Sequence, residues 1–249
     1  ALPIMRTDWF MAYAALPENY NYLMKLPTQI RELEEGQFKI DVARNIRERR
    51  VLRAGFNKGS SGVSDHNRMI ERHDIATGYY WKSYDFAGDK GRQVLENYPN
   101  GPSELEPLDA GLESFHHDGG EMIFSLPNGL QGYYLSKADG TQIDEGPTAI
   151  VTNRKRPQGA RFGVTIVNAR SCFECHSNGV IANTDQLRAT IEKSNAFDSD
   201  QKEILLAMYV KQSELDEVFQ SDRKKFVEAL SRLGATESSD AGEQSMTAP

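Results

Sequence analysis

Apolar residues recur at helical spacing at both ends of this chain and alternate with polar ones in its middle. Near the N-terminus, Thr7 or Asp8 suits an N-cap, and Trp9, Phe10, Ala12, Tyr13 and Leu16 follow at helical intervals. Pro17 and Pro27 interrupt that pattern, and Thr28 can restart a short helix through Ile30 and Leu33. The stretch "FKIDVARNIRERRVLRAGF" (38–56) fits helix and strand equally well.

The middle third reads as β-structure. "GYYWKSYDF" (78–86) has the aromatic content of a strand. Met122 to Leu126 and Leu130 to Leu135 flank Pro127-Asn128-Gly129, which predicts a hairpin. Asp139-Gly140 supplies another turn, and "GPTAIVTN" (146–153) and "RFGVTIVNA" (161–169) predict two more strands. Helical periodicity then returns. Leu187 and Ile191 share one face, as do Ile204, Leu205 and Met208, and the last helix places Leu215, Val218, Phe219, Phe226, Leu230 and Leu233 ahead of Gly234.

The expected fold class is therefore α+β, with a helical N-terminus, a central antiparallel β region and a helical C-terminal segment. The expected division is an α+β body over 1–165, a helical segment over 166–235 and a disordered tail over 236–249. A single α+β body with a helical C-terminal cap fits the same pattern. The tail "ATESSDAGEQSMTAP" has no apolar periodicity.

Charge narrows the choice of partner. The net charge is −7 over 249 residues, which argues against nucleic acid and for a basic or neutral partner. No apolar run approaches the roughly 18 residues of a membrane-crossing helix.

The candidate chemistry lies in "RSCFECHS" (170–177). The chain has two cysteines, Cys172 and Cys175, and His176 follows the second directly. Cys-x-x-Cys-His is the attachment signature of c-type haem: two thiols bond the macrocycle and the histidine supplies the proximal nitrogen. Zinc would need four ligands, and neither a second cysteine pair nor a finger-spaced histidine pair is present. A redox dithiol remains open, although a βαβ pattern is not evident. The haem reading uses all three residues, so the expected cofactor is one covalent haem c per chain, with Cys172, Cys175 and His176 binding it.

The sixth iron ligand decides between electron transfer and ligand chemistry. His117, in the Gly-rich turn "SFHHDGGEMIF", ranks first as a second metal ligand. Met208 follows, and then His73, which reads as a helix-end residue in "MIERHD". Arg68 and Arg72 are candidates to pair with haem propionates.

The pieces "GVSDHNRMIERH", "YYWKSYDF", "GGEMIFSLPNGLQGYYL" and "SCFECHSNGVI" resemble a group of uncharacterised bacterial exported proteins with a monohaem cytochrome-c-type motif near the C-terminal end. The resemblance spans most of residues 5–235. It implies a periplasmic or extracellular location, since covalent haem attachment takes place outside the bacterial inner membrane. It departs from the small cytochrome c domain, because strands lead into the motif and no methionine loop follows. The expected function is single-electron transfer with a redox partner protein. The alternative is a peroxidase-like haem enzyme, or a small-ligand or gas sensor, with an open distal site.

Overall fold

A computed structural model describes residues 6–57, 60–61, 63–64, 66–86, 94–105, 108–153 and 163–235. The predicted tail, 236–249, lies outside the described residues. Helices α1 (Thr7–Ala14), α2 (Pro17–Met24) and α3 (Val42–Arg47), with a π-helical segment at Glu32–Phe38, lead into the strands. These are β1 (Leu52–Phe56), β2 (Asn67–Ile75), β3 (Gly78–Phe86), β4 (Gly119–Ser125) and β5 (Gln131–Lys137). Helices α4 (Arg170–Cys175), α5 (Arg188–Lys193), α6 (Ser199–Leu206) and α7 (Gln212–Arg232) complete the chain. The fold is α+β, as expected.

The five strands pair in sequence order, each antiparallel to the next. The predicted hairpin forms between β4 and β5. Its turn closes with Gly129 at φ +88°, a conformation glycine adopts without steric cost. The sequence reading gave no strand at 67–75, because "NRMIERHDI" is full of charged residues. The structure buries most of them: Arg68, Glu71 and His73 are all nearly or fully enclosed. His73 is therefore a strand residue and not a helix-end one. The described parts of the two strands expected at 146–153 and 161–169 form no strand and make isolated bridges, Ser64 with Val151 and Glu145 with Val167.

Register assigns the side chains to two faces, since residues paired across a sheet point the same way and neighbours along a strand point oppositely. The first face carries Arg53, Glu71, His73, Tyr80, Lys82 and Tyr84. The second carries Arg68, Trp81, Asp85, Glu121, Ile123 and Tyr133.

Both faces are covered. On the first, Met69, Tyr84 and Phe86 pack with Leu187, Ile191, Leu205 and Tyr209. On the second, α7 lays Leu215 and Phe219 against Ala54, Phe56, Tyr79 and Trp81. Residues on either side of the predicted boundary at 165/166 thus fill common cores. The stripe of α7 includes one carboxylate, Asp222, because the sheet beneath supplies partners for it. Trp81 Nε1 donates to it at 2.8 Å and the Arg72 guanidinium at 2.9 Å, while Phe219 stacks on Trp81 with ring centroids 4.9 Å apart.

Candidate cofactor site

The helix bearing the motif, α4, begins at a sharp bend. Ala169 is fully buried at φ +62°, and the Ser171 hydroxyl accepts from the Val167 amide at 2.8 Å. A non-glycine residue held there costs about 1–2 kcal/mol. Packing of Ala169 with Tyr20 and Tyr133 holds it in place.

Cys172 and Cys175 are three residues apart in α4, so their side chains lie on the same side of the helix. No disulfide joins them. The helix ends at His176, whose amide donates to the Cys172 carbonyl at 2.8 Å. Cys172, Cys175 and His176 are all half-buried. Asn153 Nδ2 lies 4.0 Å from the Cys175 sulfur.

His176 has a defined tautomer. Its Nδ1 is 3.1 Å from the Gly179 carbonyl oxygen. A carbonyl can only accept, so Nδ1 carries the proton and Nε2 keeps its lone pair. Burial pushes the imidazole below its ordinary pKa, the Gly179 bond opposes this in part, and Arg68 adds to the depression. The ring is neutral at neutral pH, the form that ligates a metal. Gly179 is itself constrained, with φ +94° and a position against Arg223 and Phe226 of α7.

Aromatic rings wall the motif. Tyr133 lies 6.1 Å from the His176 ring and 5.2 Å from Phe173, and Tyr20 of α2 meets Phe173 edge-on at 5.9 Å. The Tyr133 amide donates to the Tyr20 hydroxyl at 2.8 Å. Burial raises both phenols, which stay protonated. Burial likewise raises the Cys172 thiol. That direction is opposite to the lowered thiol pKa that favours a redox dithiol.

A buried ion triad stands on the same face. Arg68 Nε meets Asp85 at 2.7 Å and its Nη1 meets Glu121 at 3.1 Å. Burial keeps Asp85 above the usual carboxylate range even beside Arg68. A small cleft, open to solvent, is lined by Asp85 and Glu121 together with Leu135 and Val151. Arg68 and Arg72, expected to be available for propionates, are both engaged in protein ion pairs, Arg72 with Asp222 and Asp74.

The structure does not bring the predicted sixth ligands to His176. His117 packs edge-on against Tyr84 with centroids 5.3 Å apart, and so lies on the first face, whereas His176 lies against Tyr133 on the second. The sheet separates them, and His117 is corrected as a ligand partner of His176. His73 is on the first face as well, between Asn45 Nδ2 at 3.3 Å and Glu71 Oε2 at 3.4 Å. Met208 is core, packed with Val42, Ile46 and Val51.

No protein-family model, curated protein or solved structure matches this chain. Among the described residues, no group of three or more His, Cys, Asp or Glu stands together that could hold a metal ion. The resemblance to exported monohaem cytochrome-c-like proteins is therefore withdrawn. Three of the stretches that carried it lie largely in strands β2 to β5, and sheet packing accounts for their composition.

What remains is the local chemistry of 172–176. A protein-only zinc site has no ligand set among the described residues. A haem demands less, since the macrocycle supplies four nitrogens and the protein one or two axial ligands. Two thiols on one side of a helix and an adjoining neutral imidazole with its lone pair on Nε2 fit that demand. Sequence reasoning missed Gly179, Tyr133 and Tyr20. Gly179 had a signal in the "SNG" turn after the histidine; the two tyrosines, distant in sequence, had none. Among the described residues no helix is long and apolar enough to cross a membrane.

Proposed function

We propose that Cys172, Cys175 and His176 hold one covalent haem c and that the protein exchanges single electrons with a protein partner. The observation that carries this reading is the His176 imidazole, neutral and anchored through Nδ1 to Gly179, directly after two thiols on one side of α4. When bound, the haem supplies an iron that alternates between ferric and ferrous states. The chain's own residues do the rest. Cys172 and Cys175 would tether the haem, and His176 Nε2 would donate to its iron. The Gly179 carbonyl fixes the tautomer and raises the donor strength of the ring. Tyr133 packs beside the His176 ring and Phe173 against Tyr133. An exported location, periplasmic or extracellular, accompanies this reading.

A second reading is an accessible iron that binds peroxide or a small gas. It is favoured by the placement of His117, His73 and Met208 away from the face that holds His176.

The test is the absorption spectrum of protein exported together with haem-attachment machinery, recorded oxidised, reduced and as the pyridine haemochrome. Covalent haem that is lost in a Cys172→Ala/Cys175→Ala variant supports the site; its absence from the parent protein rejects it. Reduced bands indifferent to carbon monoxide support the electron carrier, and bands that shift support the second reading.

A further inference from the structure

The N-terminal helix pair leaves large apolar side chains in solvent. Trp9 is 63 % exposed, Phe10 46 %, Tyr13 61 %, Tyr22 83 % and Leu23 56 %. Trp9 and Tyr13 lie on one side of α1 with ring centroids 6.2 Å apart, and Asn19 of α2 donates to the Tyr13 carbonyl at 2.9 Å, joining the two helices. An aromatic side chain carries about 150–250 Å², so the four aromatics expose on the order of 500 Å². That matches the largest apolar patch of a typical monomer, a kind of surface that is often functional.

The location gives the patch its meaning. The other side of α2 buries Tyr20, which contacts Phe173 and, through its hydroxyl, the Tyr133 amide. Tyr20 and Phe173 share a cluster with Cys172. One helix thus presents apolar residues to solvent on one side and touches the motif helix on the other. We propose that the exposed face of α1 and α2 is the docking surface for a small basic electron-transfer protein. This inference rests on the haem reading of Cys172, Cys175 and His176 and adds to it the surface through which the partner approaches.

Size and charge select that occupant. About 500 Å² a side amounts to roughly 1,000 Å² in a complex, below the standard 1,600 Å² of a stable interface and in the range of short-lived redox encounters. A stable second copy of this chain would require more. Glu18 stands in the first turn of α2, Asp144 accepts from Asn21 at 2.8 Å, and Lys25 ends the helix. The whole chain carries −7, which draws in a basic protein and repels an acidic surface. Tyr and Trp are among the residue types enriched at binding hot spots.

The test uses the full chain, haem-free and haem-loaded, titrated at low salt with mitochondrial cytochrome c as the basic probe and followed by NMR chemical-shift changes. Binding should perturb α1 and α2, weaken as salt rises to about 0.15 M, and fall about tenfold or more in Trp9→Ser/Tyr22→Ser. Both substituted residues are exposed, and circular dichroism checks that the variant is folded. Four outcomes overturn the proposal: no binding by the parent protein; binding unchanged in the double variant; partition of the parent protein onto phosphatidylcholine vesicles without probe binding; or a concentration-dependent dimer that the variant abolishes. If no haem attaches, the haem reading fails by itself, while the haem-free titration still reports on the patch.

Discussion

His117 and His176 lie on opposite faces of the five-stranded sheet, His117 against the ring of Tyr84 and His176 against that of Tyr133. No side chain spans a hydrogen-bonded sheet, so the two imidazoles cannot share one iron. His117→Gln in haem-loaded protein is expected to leave the oxidised and reduced spectra unchanged. A change of spin state in that variant would show that the histidine reaches the iron.

Gly179 connects the motif to α7. Its φ of +94° suits glycine, and a Cβ there would meet Phe226 at 3.2 Å. Gly179→Ala should therefore cost about 1–2 kcal/mol in urea denaturation. It should also loosen the carbonyl that holds His176 Nδ1. A variant as stable as the parent protein would contradict the turn geometry.

Asp222 is a buried carboxylate on an otherwise apolar stripe, bound by Arg72 and Trp81. Replacing it with alanine leaves the indole N–H without its acceptor and the Arg72 guanidinium with Asp74 alone. The expected loss is about 1–3 kcal/mol, together with a changed near-ultraviolet dichroism from Trp81. A loss below about 1 kcal/mol would mean that the pair contributes no more than an exposed one.

Burial pushes His117 below its ordinary pKa, with Glu104 and the Gly119 carbonyl opposing and Lys82 reinforcing the shift. The unfolded histidine titrates near 6.5. Below that pH the unfolded chain binds a proton that the folded chain resists, so stability falls as pH drops through about 6.5. His117→Gln should show a smaller loss of stability than the parent between about pH 7.5 and 5.5. An identical pH slope in the two proteins would refute the buried neutral imidazole.

Glu71 titrates with the opposite sign. Burial alone would raise its pKa, but the Arg53 guanidinium, with His73 and Tyr84, overrides this and holds the carboxyl well below the usual range. A depressed carboxylate stabilises above its unfolded pKa, and that contribution is lost as pH falls below about 4. Arg53→Met should remove that acid-side dependence and destabilise the protein by about 3 kcal/mol or more at neutral pH, because Glu71 is left buried without its cation. Unchanged acid unfolding in Arg53→Met would show that Glu71 does not rely on this pair.

Some of the molecule was legible locally. The β4–β5 hairpin follows from alternation on either side of Pro127-Asn128-Gly129, and α7 follows from apolar residues at helical spacing. The motif was visible too, because Cys172, Cys175 and His176 are adjacent in sequence. β2 was not. Its strand pattern is obscured by Arg68, Glu71 and His73, which read as surface residues until Asp85, Arg53 and Asn45 are brought against them from elsewhere in the chain. The segments at 146–153 and 161–169 had the composition of strands, but their described residues make single bridges.

By itself the sequence determined which elements lie at each end, the hairpin at the centre, and the three residues that could hold a cofactor, since each depends on neighbours a few positions apart. Only the tertiary structure decided which face of the sheet each histidine occupies and which tautomer His176 holds. It also decided which aromatic rings are enclosed around the motif and which stand in solvent. Those outcomes follow from strand register and from contacts between residues more than a hundred positions apart, such as Tyr20 with Tyr133 and Arg72 with Asp222. Local periodicity carries no record of them, because a shift of one residue in register would turn the same side chains to the opposite face.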